Sequence, residues 1–173
     1  MTLFSSLRRA LAGASLAVLP GQVLYNSAVA QARRPDWYLA GGVPDTMDGR
    51  FEMVALVLIR LEGEAGDPAR QLSADLADRF IDDMDGSLRQ EGVGDQVVGK
   101  HVGRMMAALG GRLGAYREAG PDDAALAEAL RRNLFAGTAV DGGAVDWIVA
   151  EMRRLAVRLT ATPYAALVAG EWA

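Results

Sequence analysis

The sequence of 173 residues has no cysteine, one histidine (His101) and one lysine (Lys100). Disulfides, thiol nucleophiles, iron-sulfur clusters and Cys/His zinc sites are thereby excluded, and a Ser-His-Asp triad would have to use His101. Aromatic residues make up only 6% of the chain. Long apolar runs are also missing: near the N-terminus no window of about 20 residues escapes polar or helix-breaking positions, so a membrane span is not expected there. Acid is absent from one end. Residues 1–34 hold Arg8, Arg9, Arg33 and Arg34 with no Asp or Glu, a charge of +4 that leaves −8 on the remainder of a chain whose total is −4. What is present is 51% hydrophobic and 23% charged residues. That is a globular composition, and a chain of this length buries roughly 70% of the surface its unfolded form exposes, so one domain is expected.

Gly and Pro punctuate a succession of helical patterns, and no convincing period-2 alternation occurs, which predicts an all-α single-domain bundle of about six to eight helices. Phe51 to Leu61 is apolar on nearly every side and predicts a helix enclosed within the bundle. Leu72, Leu76, Phe80, Met84 and Leu88 form one stripe of a helix from about Pro68 to Glu91, closed by Gly92. A helix from about Asp95 to Glu118 offers Val98, Val102, Met105, Met106, Leu109, Leu113 and Tyr116 to the core. Its other side is nearly bare: Gly99, Gly103, Ala107 and Gly111 recur every four residues, with Gly110 and Gly114 beside them. Internal glycines weaken a helix, and close approach by another helix is the expected compensation, with a ligand or client groove as the alternative. Leu126, Leu130 and Leu134 mark a further helix after Asp122 and Asp123, with Gly137 as its stop. Val145, Ile148, Val149, Met152, Leu155 and Leu159 mark the last long one, and Pro163 opens a short terminal helix.

The N-terminus allows two readings. Arg8 and Arg9, the apolar stretch Leu11 to Leu19 and the A-x-A site Ala28-Val29-Ala30 fit a signal peptide cleaved after Ala30. Against this, Gly13, Ser15, Pro20 and Asn26 interrupt the run, and Val23 to Ala32 continues in helical register, as in a mature helix or a basic membrane-surface segment over residues 1–22.

Three features bear on chemistry. Asp75, Asp78, Asp82 and Asp85 share one helical face, where carboxylates could hold Mg²⁺ against a diphosphate, but no second acidic face exists to complete such a site; a solvated face tempered by Arg79 and Arg89 is expected. Gly92-Val93-Gly94-Asp95 lacks the strand and the Lys-Ser pair of a phosphate loop. It predicts a helix C-cap at Gly92, a turn at Gly94 and an N-cap at Asp95. His101 has no partner ligands for a metal or haem and predicts a packing or surface histidine. With a negative net charge, no nucleic-acid site is evident.

Two passages go further. The run from Trp37 to Met53, containing Gly42-Val43-Pro44-Asp45-Thr46-Met47-Asp48-Gly49-Arg50-Phe51-Glu52-Met53, resembles the G-V-P-D-T-x-x-G-R-F-[ED]-[ML] signature of the ubiquinol-cytochrome c chaperone family. The run from Asp83 to Lys100 resembles that family's D-x-M-D-R-S-L-R-E-x-G-V-G-D-x-x-V-G-K block, and Gly111-Arg112 with Tyr116 continues the likeness. Departures are Gly86 where relatives usually carry Arg, Gly110 where they carry an aromatic, and a segment from Met53 to Arg60 about one helical turn shorter.

The resemblance implies an α-helical, non-enzymatic assembly factor for respiratory complex III that helps newly made cytochrome b mature, peripheral on the cytoplasmic face of the membrane. A ribosome or a small partner protein is implied beside the client, and no cofactor or metal. The helical domain would run over residues 23–173. The matching positions Asp45, Thr46, Asp48, Arg50, Asp85, Arg89, Asp95, Lys100 and Arg112 are expected to form a client- or partner-binding polar surface. The alternative is that several of them only cap helices and pair with one another. The other functional classes left open are a small Mg²⁺-dependent enzyme using the Asp75 to Asp85 face and an exported helical protein.

Overall fold

A computed structural model describes residues 20–65, 70–90, 92, 94–136 and 138–172. The basic segment expected before residue 20 lies outside them for the most part, as do Gly137 and the side chains of Leu72, Asp95, Met106, Leu109 and Leu113. Every regular element among the described residues is a helix: α1 (Pro20–Ala32), α2 (Pro35–Leu39), α3 (Met47–Ala65), α4 (Arg70–Gln90), α5 (Asp95–Ala119), α6 (Asp123–Asn133), α7 (Gly142–Ala161) and α8 (Tyr164–Val168). The all-α expectation holds. None of these helices is long and apolar enough to cross a membrane.

The axis of the molecule is α3. Every residue from Phe51 to Leu58, and Leu61 beyond, is buried, because α1, α4, α5 and α7 all pack on this one helix. Phe51 stacks on Phe80 of α4 with ring centroids 4.9 Å apart. The stripe Leu76, Phe80, Met84 and Leu88 faces inward, as do Val98, Met105 and Tyr116 of α5 and the predicted apolar positions of α6 and α7.

Helix α1 belongs to this core through Leu24, Tyr25, Ala28 and Ala32. The Tyr25 hydroxyl donates to Asp83 on α4 at 2.8 Å, and Arg79 of α4 reaches Gln22. Ser27 donates to the Gly170 carbonyl, which ties the end of the chain to α1. Cleavage after Ala30 would strip Leu24, Tyr25 and Ala28 from the core. Burial of three such side chains is worth several kcal/mol, at roughly 25 cal/mol for each Å² of apolar surface.

The loop between α2 and α3 is shaped by glycine. A Cβ on Gly41 would stand 2.5 Å from the Trp37 carbonyl oxygen and 2.9 Å from Ile148 of α7. One on Gly49 would stand 2.0 Å from the Pro44 carbonyl oxygen. Beneath the loop Trp37 donates its indole N–H to the Gln31 carbonyl at 2.7 Å and meets Trp147 edge to face, so the loop is clamped to α7. Helix ends follow the capping residues. Thr46 Oγ1 accepts from Gly49 N and starts α3, and Asp122 accepts from Ala124 N and Ala125 N and starts α6.

Two expectations are corrected. The N-cap of α5 is Gly94, with extended backbone, so Asp95 is the first helical residue and not the cap. A glycine tolerates the cap position nearly as well as a side-chain acceptor, which is why adjacent Gly-Asp leaves the boundary ambiguous by one residue. The bare side of α5 is not covered by another helix: a Cβ on Gly99, Gly103, Gly110, Gly111 or Gly114 would meet nothing within 4 Å. The core uses the opposite face of α5, through Val98, Met105 and Tyr116, which leaves the glycines toward solvent.

The two kinds of glycine give opposite predictions for alanine. Gly103→Ala on the open side should stabilise the chain by about 0.5–1 kcal/mol. Gly49→Ala must displace the Pro44 peptide and should destabilise it by more than about 2 kcal/mol. Urea midpoints of the two variants test both.

Candidate functional site

The loop around Asp45 and the first turn of α3 form a wall between two clefts, with one half of the first motif facing each. On one side Asp45, Met47 and Arg50 stand with Arg33, Tyr38 and Leu39 opposite Ser87 and Gln90 of α4 around a cleft of about 620 Å³. Ser87 and Gln90 lie in the second motif, so the two passages that are far apart in sequence share this cleft. Leu39, at 84% exposure, leaves a large apolar side chain on its rim. Arg50 Nε donates to Asp45 Oδ1 at 2.6 Å, and that hydrogen bond holds the Asp45 carboxyl below its ordinary range.

On the other side Thr46, Asp48, Phe51 and Glu52 of the first motif face His101, Arg104, Met105, Ala108 and Arg112 of α5, and Asn133, Leu134 and Phe135 close the end of a cleft of about 530 Å³. Its floor carries an acid within the otherwise apolar buried stretch Phe51 to Leu58 of α3. Glu52 is 5% exposed and one of its oxygens takes the Arg112 guanidinium at 2.6 Å. Among the described residues its second oxygen, Oε2, has no hydrogen-bond partner. Arg112 also lies over the Phe51 ring, 5.7 Å from its centroid. Burial pushes the Glu52 carboxyl up to about 7; Arg112 pulls it down, and Asp48 adds to the rise. The Tyr116 hydroxyl is pushed up by burial and then by Glu52. Ala136, on the rim, holds a positive φ of 49°, an uncommon backbone conformation for a residue with a Cβ.

The expected binding residues therefore separate. Asp45 and Arg50 pair on the first cleft. Thr46, Asp48 and Arg112 line the second, where Thr46 also caps α3 and Arg112 is held as a counter-ion. Asp85 and Arg89 pair with each other at 2.6 Å, one turn apart on α4. Lys100 stands exposed on α5, immediately before His101. Asp95 begins α5. Sequence reasoning missed Glu52 and Arg104. The signal for Glu52 was available, since it is the single acid in the apolar run from Phe51 to Leu61. Nothing local marked Arg104, whose place depends on how α5 is rotated against α3.

Among the described residues no group of His, Asp or Glu is placed to hold a metal ion. On the acidic helix, Asp83 is taken by Tyr25 and Asp85 by Arg89.

The family model for ubiquinol-cytochrome C chaperones matches residues 39–173. Among solved structures, the chain is similar to a Cbp3 homolog from Brucella abortus, seen in a crystal structure: 35% identity, a TM-score of 0.73, and coverage of 98% of this chain and 94% of that one. No curated protein matches.

A carboxyl that ionises near 7 when folded and near 4.5 when unfolded binds its proton more tightly in the native state. Its contribution to stability is thus complete below the unfolded value and is lost as pH rises through the folded one. The chain should lose stability between pH 5 and pH 8, by up to about 3 kcal/mol from this group. Glu52→Gln should flatten that slope, and Arg112→Met should cost more at pH 8 than at pH 5. Chemical denaturation across this range measures all three.

Proposed function

Since the chain belongs to the ubiquinol-cytochrome C chaperone family, we propose that it binds newly made cytochrome b and promotes assembly of ubiquinol-cytochrome c reductase. The observation that carries this reading is the meeting of both family motifs in the fold. Asp45 and Arg50 face Ser87 and Gln90 across one cleft, while Thr46, Asp48 and Arg112 line another on the far side of the same loop. A chaperone needs such surfaces, with paired charges and an accessible apolar rim such as Leu39, and needs neither a nucleophile nor a cofactor. Its work is to shield and orient a client, and non-enzymatic binding suits the residues present.

The site of action in this reading is the inner face of the cytoplasmic membrane, with the chain peripheral to it. The +4 charge of residues 1–34 supports that placement, because basic residues near an anionic lipid surface each gain about 1 kcal/mol. The helical body over residues 23–173 would carry the client surface, and a small partner protein or the ribosome would join it. Asp45, Asp48, Arg50, Asp85, Arg89, Lys100 and Arg112 are its contact charges; Thr46 and Asp95 shape the elements that present them.

Deletion of the gene should lower b-type cytochrome and complex III in reduced-minus-oxidised difference spectra, and normal spectra would overturn the reading. Lys100→Glu and Arg89→Glu, both at exposed positions, should reduce complex III several-fold in complemented cells while Tm stays within about 2–4 °C. A parallel fall in Tm would make these residues structural.

A further inference from the structure

The cleft between the start of α3 and α5 holds more hydrogen-bond donors than acceptors. Arg104 has no carboxylate partner among the described residues, and its guanidinium lies 3.3 Å from the His101 ring. Arg112 spends one amino group on Glu52 and stays 23% exposed. Thr46 already accepts from Gly49 N, which leaves its O–H as a donor. The exposed acid on the rim is Asp48. Around these polar groups stand Phe51, Met105, Ala108, Leu134 and Phe135. We propose that this cleft holds the carboxylate of an acidic, apolar-flanked polypeptide segment, with Arg104 and Arg112 as its cationic partners.

Two features favour an anion over a cation. A guanidinium or ammonium entering here would meet Arg104 and Arg112 before it met Glu52, whose unpartnered oxygen is sealed from solvent. An entering carboxylate meets the arginines first and gains charge-assisted hydrogen bonds. It can also replace Glu52 as the counter-ion of Arg112, provided Glu52 takes up a proton from solvent so that only one negative charge remains on the arginine. A buried carboxyl raised to about 7 does this at little cost near neutral pH. The charged and titratable groups around Glu52 are Asp48 on its own helix and His101, Arg104, Arg112 and Tyr116 on α5, with Arg132 of α6 acting on Tyr116.

The inference rests on the chaperone reading only for the origin of the segment, in a client or partner. Its test uses the purified chain and is separate from any cytochrome measurement, so either result can fail alone. The probe is a fluorophore-labelled peptide, acetyl-Leu-Phe-Glu-Leu-Phe-amide, with its glutamine counterpart and laurate as comparisons. The glutamate peptide should bind at least about tenfold more tightly than the glutamine peptide at pH 6, the worth of one charge-assisted contact. Its affinity should fall about tenfold between pH 6 and pH 8 as Glu52 ionises. Arg104→Gln should weaken it at least about tenfold at pH 6, and Glu52→Gln should remove the pH dependence. His101 neighbours Arg104, so His101→Gln is measured alongside and should keep the dependence. Should Glu52→Gln not fold, Arg104→Gln and the peptide pair remain decisive. Equal binding of the two peptides, indifference to Arg104→Gln, affinity that rises with pH, or binding of laurate without the peptide overturns the proposal.

Discussion

A helix that is apolar on every side cannot rest on a surface and has to be enclosed. The enclosure of Phe51 to Leu58 by α1, α4, α5 and α7 is the constraint from which the rest of this structure follows. Four helices can surround a fifth only if the chain enters and leaves at the ends, so the loop before α3 is pressed against α7 by Trp37, Trp147 and the missing side chain of Gly41. The entrance to the central helix thus becomes a packed projection, and clefts open on both sides of it. Placing polar and charged residues at that entrance puts them on both cleft walls at once.

The single exception inside the enclosed run, Glu52, shows what the constraint costs and what it permits. Desolvating a carboxylate is expensive, and Arg112 offsets only part of that expense, as the upward displacement of its ionisation records. An apolar residue there would pack at lower cost. What the acid supplies is a charge that can be switched off near neutral pH in front of an arginine held in place by a ring, which is a property of use to a binding surface and of none to a core.

Much of the fold was legible because burial follows periodicity. Leu76, Phe80, Met84 and Leu88 predicted a stripe and are that stripe, and the all-round apolar run predicted the central helix. The glycines of α5 were misread because spacing marks a face without saying whether that face is covered; Gly99 and Gly103 look the same in sequence whether packed or open, and here they are open. The candidate site was legible as a set of residues and not as an arrangement. Asp45 and Thr46 are both turn and capping residues, and only the backbone decides that Thr46 caps α3 while Asp45 pairs with Arg50. Arg104 could not be placed beside Glu52 without the rotation of α5 about its own axis, which no local pattern encodes.

The motif residues consequently belong to two physical kinds, and a loss of function reads differently for each. Gly49 sits against the Pro44 carbonyl oxygen, and Arg112 neutralises a buried acid; a change at either alters the wall of a cleft by altering the fold that makes it. Lys100 and the Asp85–Arg89 pair are anchored to exposed helix surface, where a change in charge leaves the core untouched. A defect at the first kind speaks to the architecture of the α3 entrance, and a defect at the second kind would speak to the proposed contacts with a client or partner. Under the proposed function the same family signature mixes residues that build the surface with residues that would use it, and stability measured beside activity is the quantity that separates them.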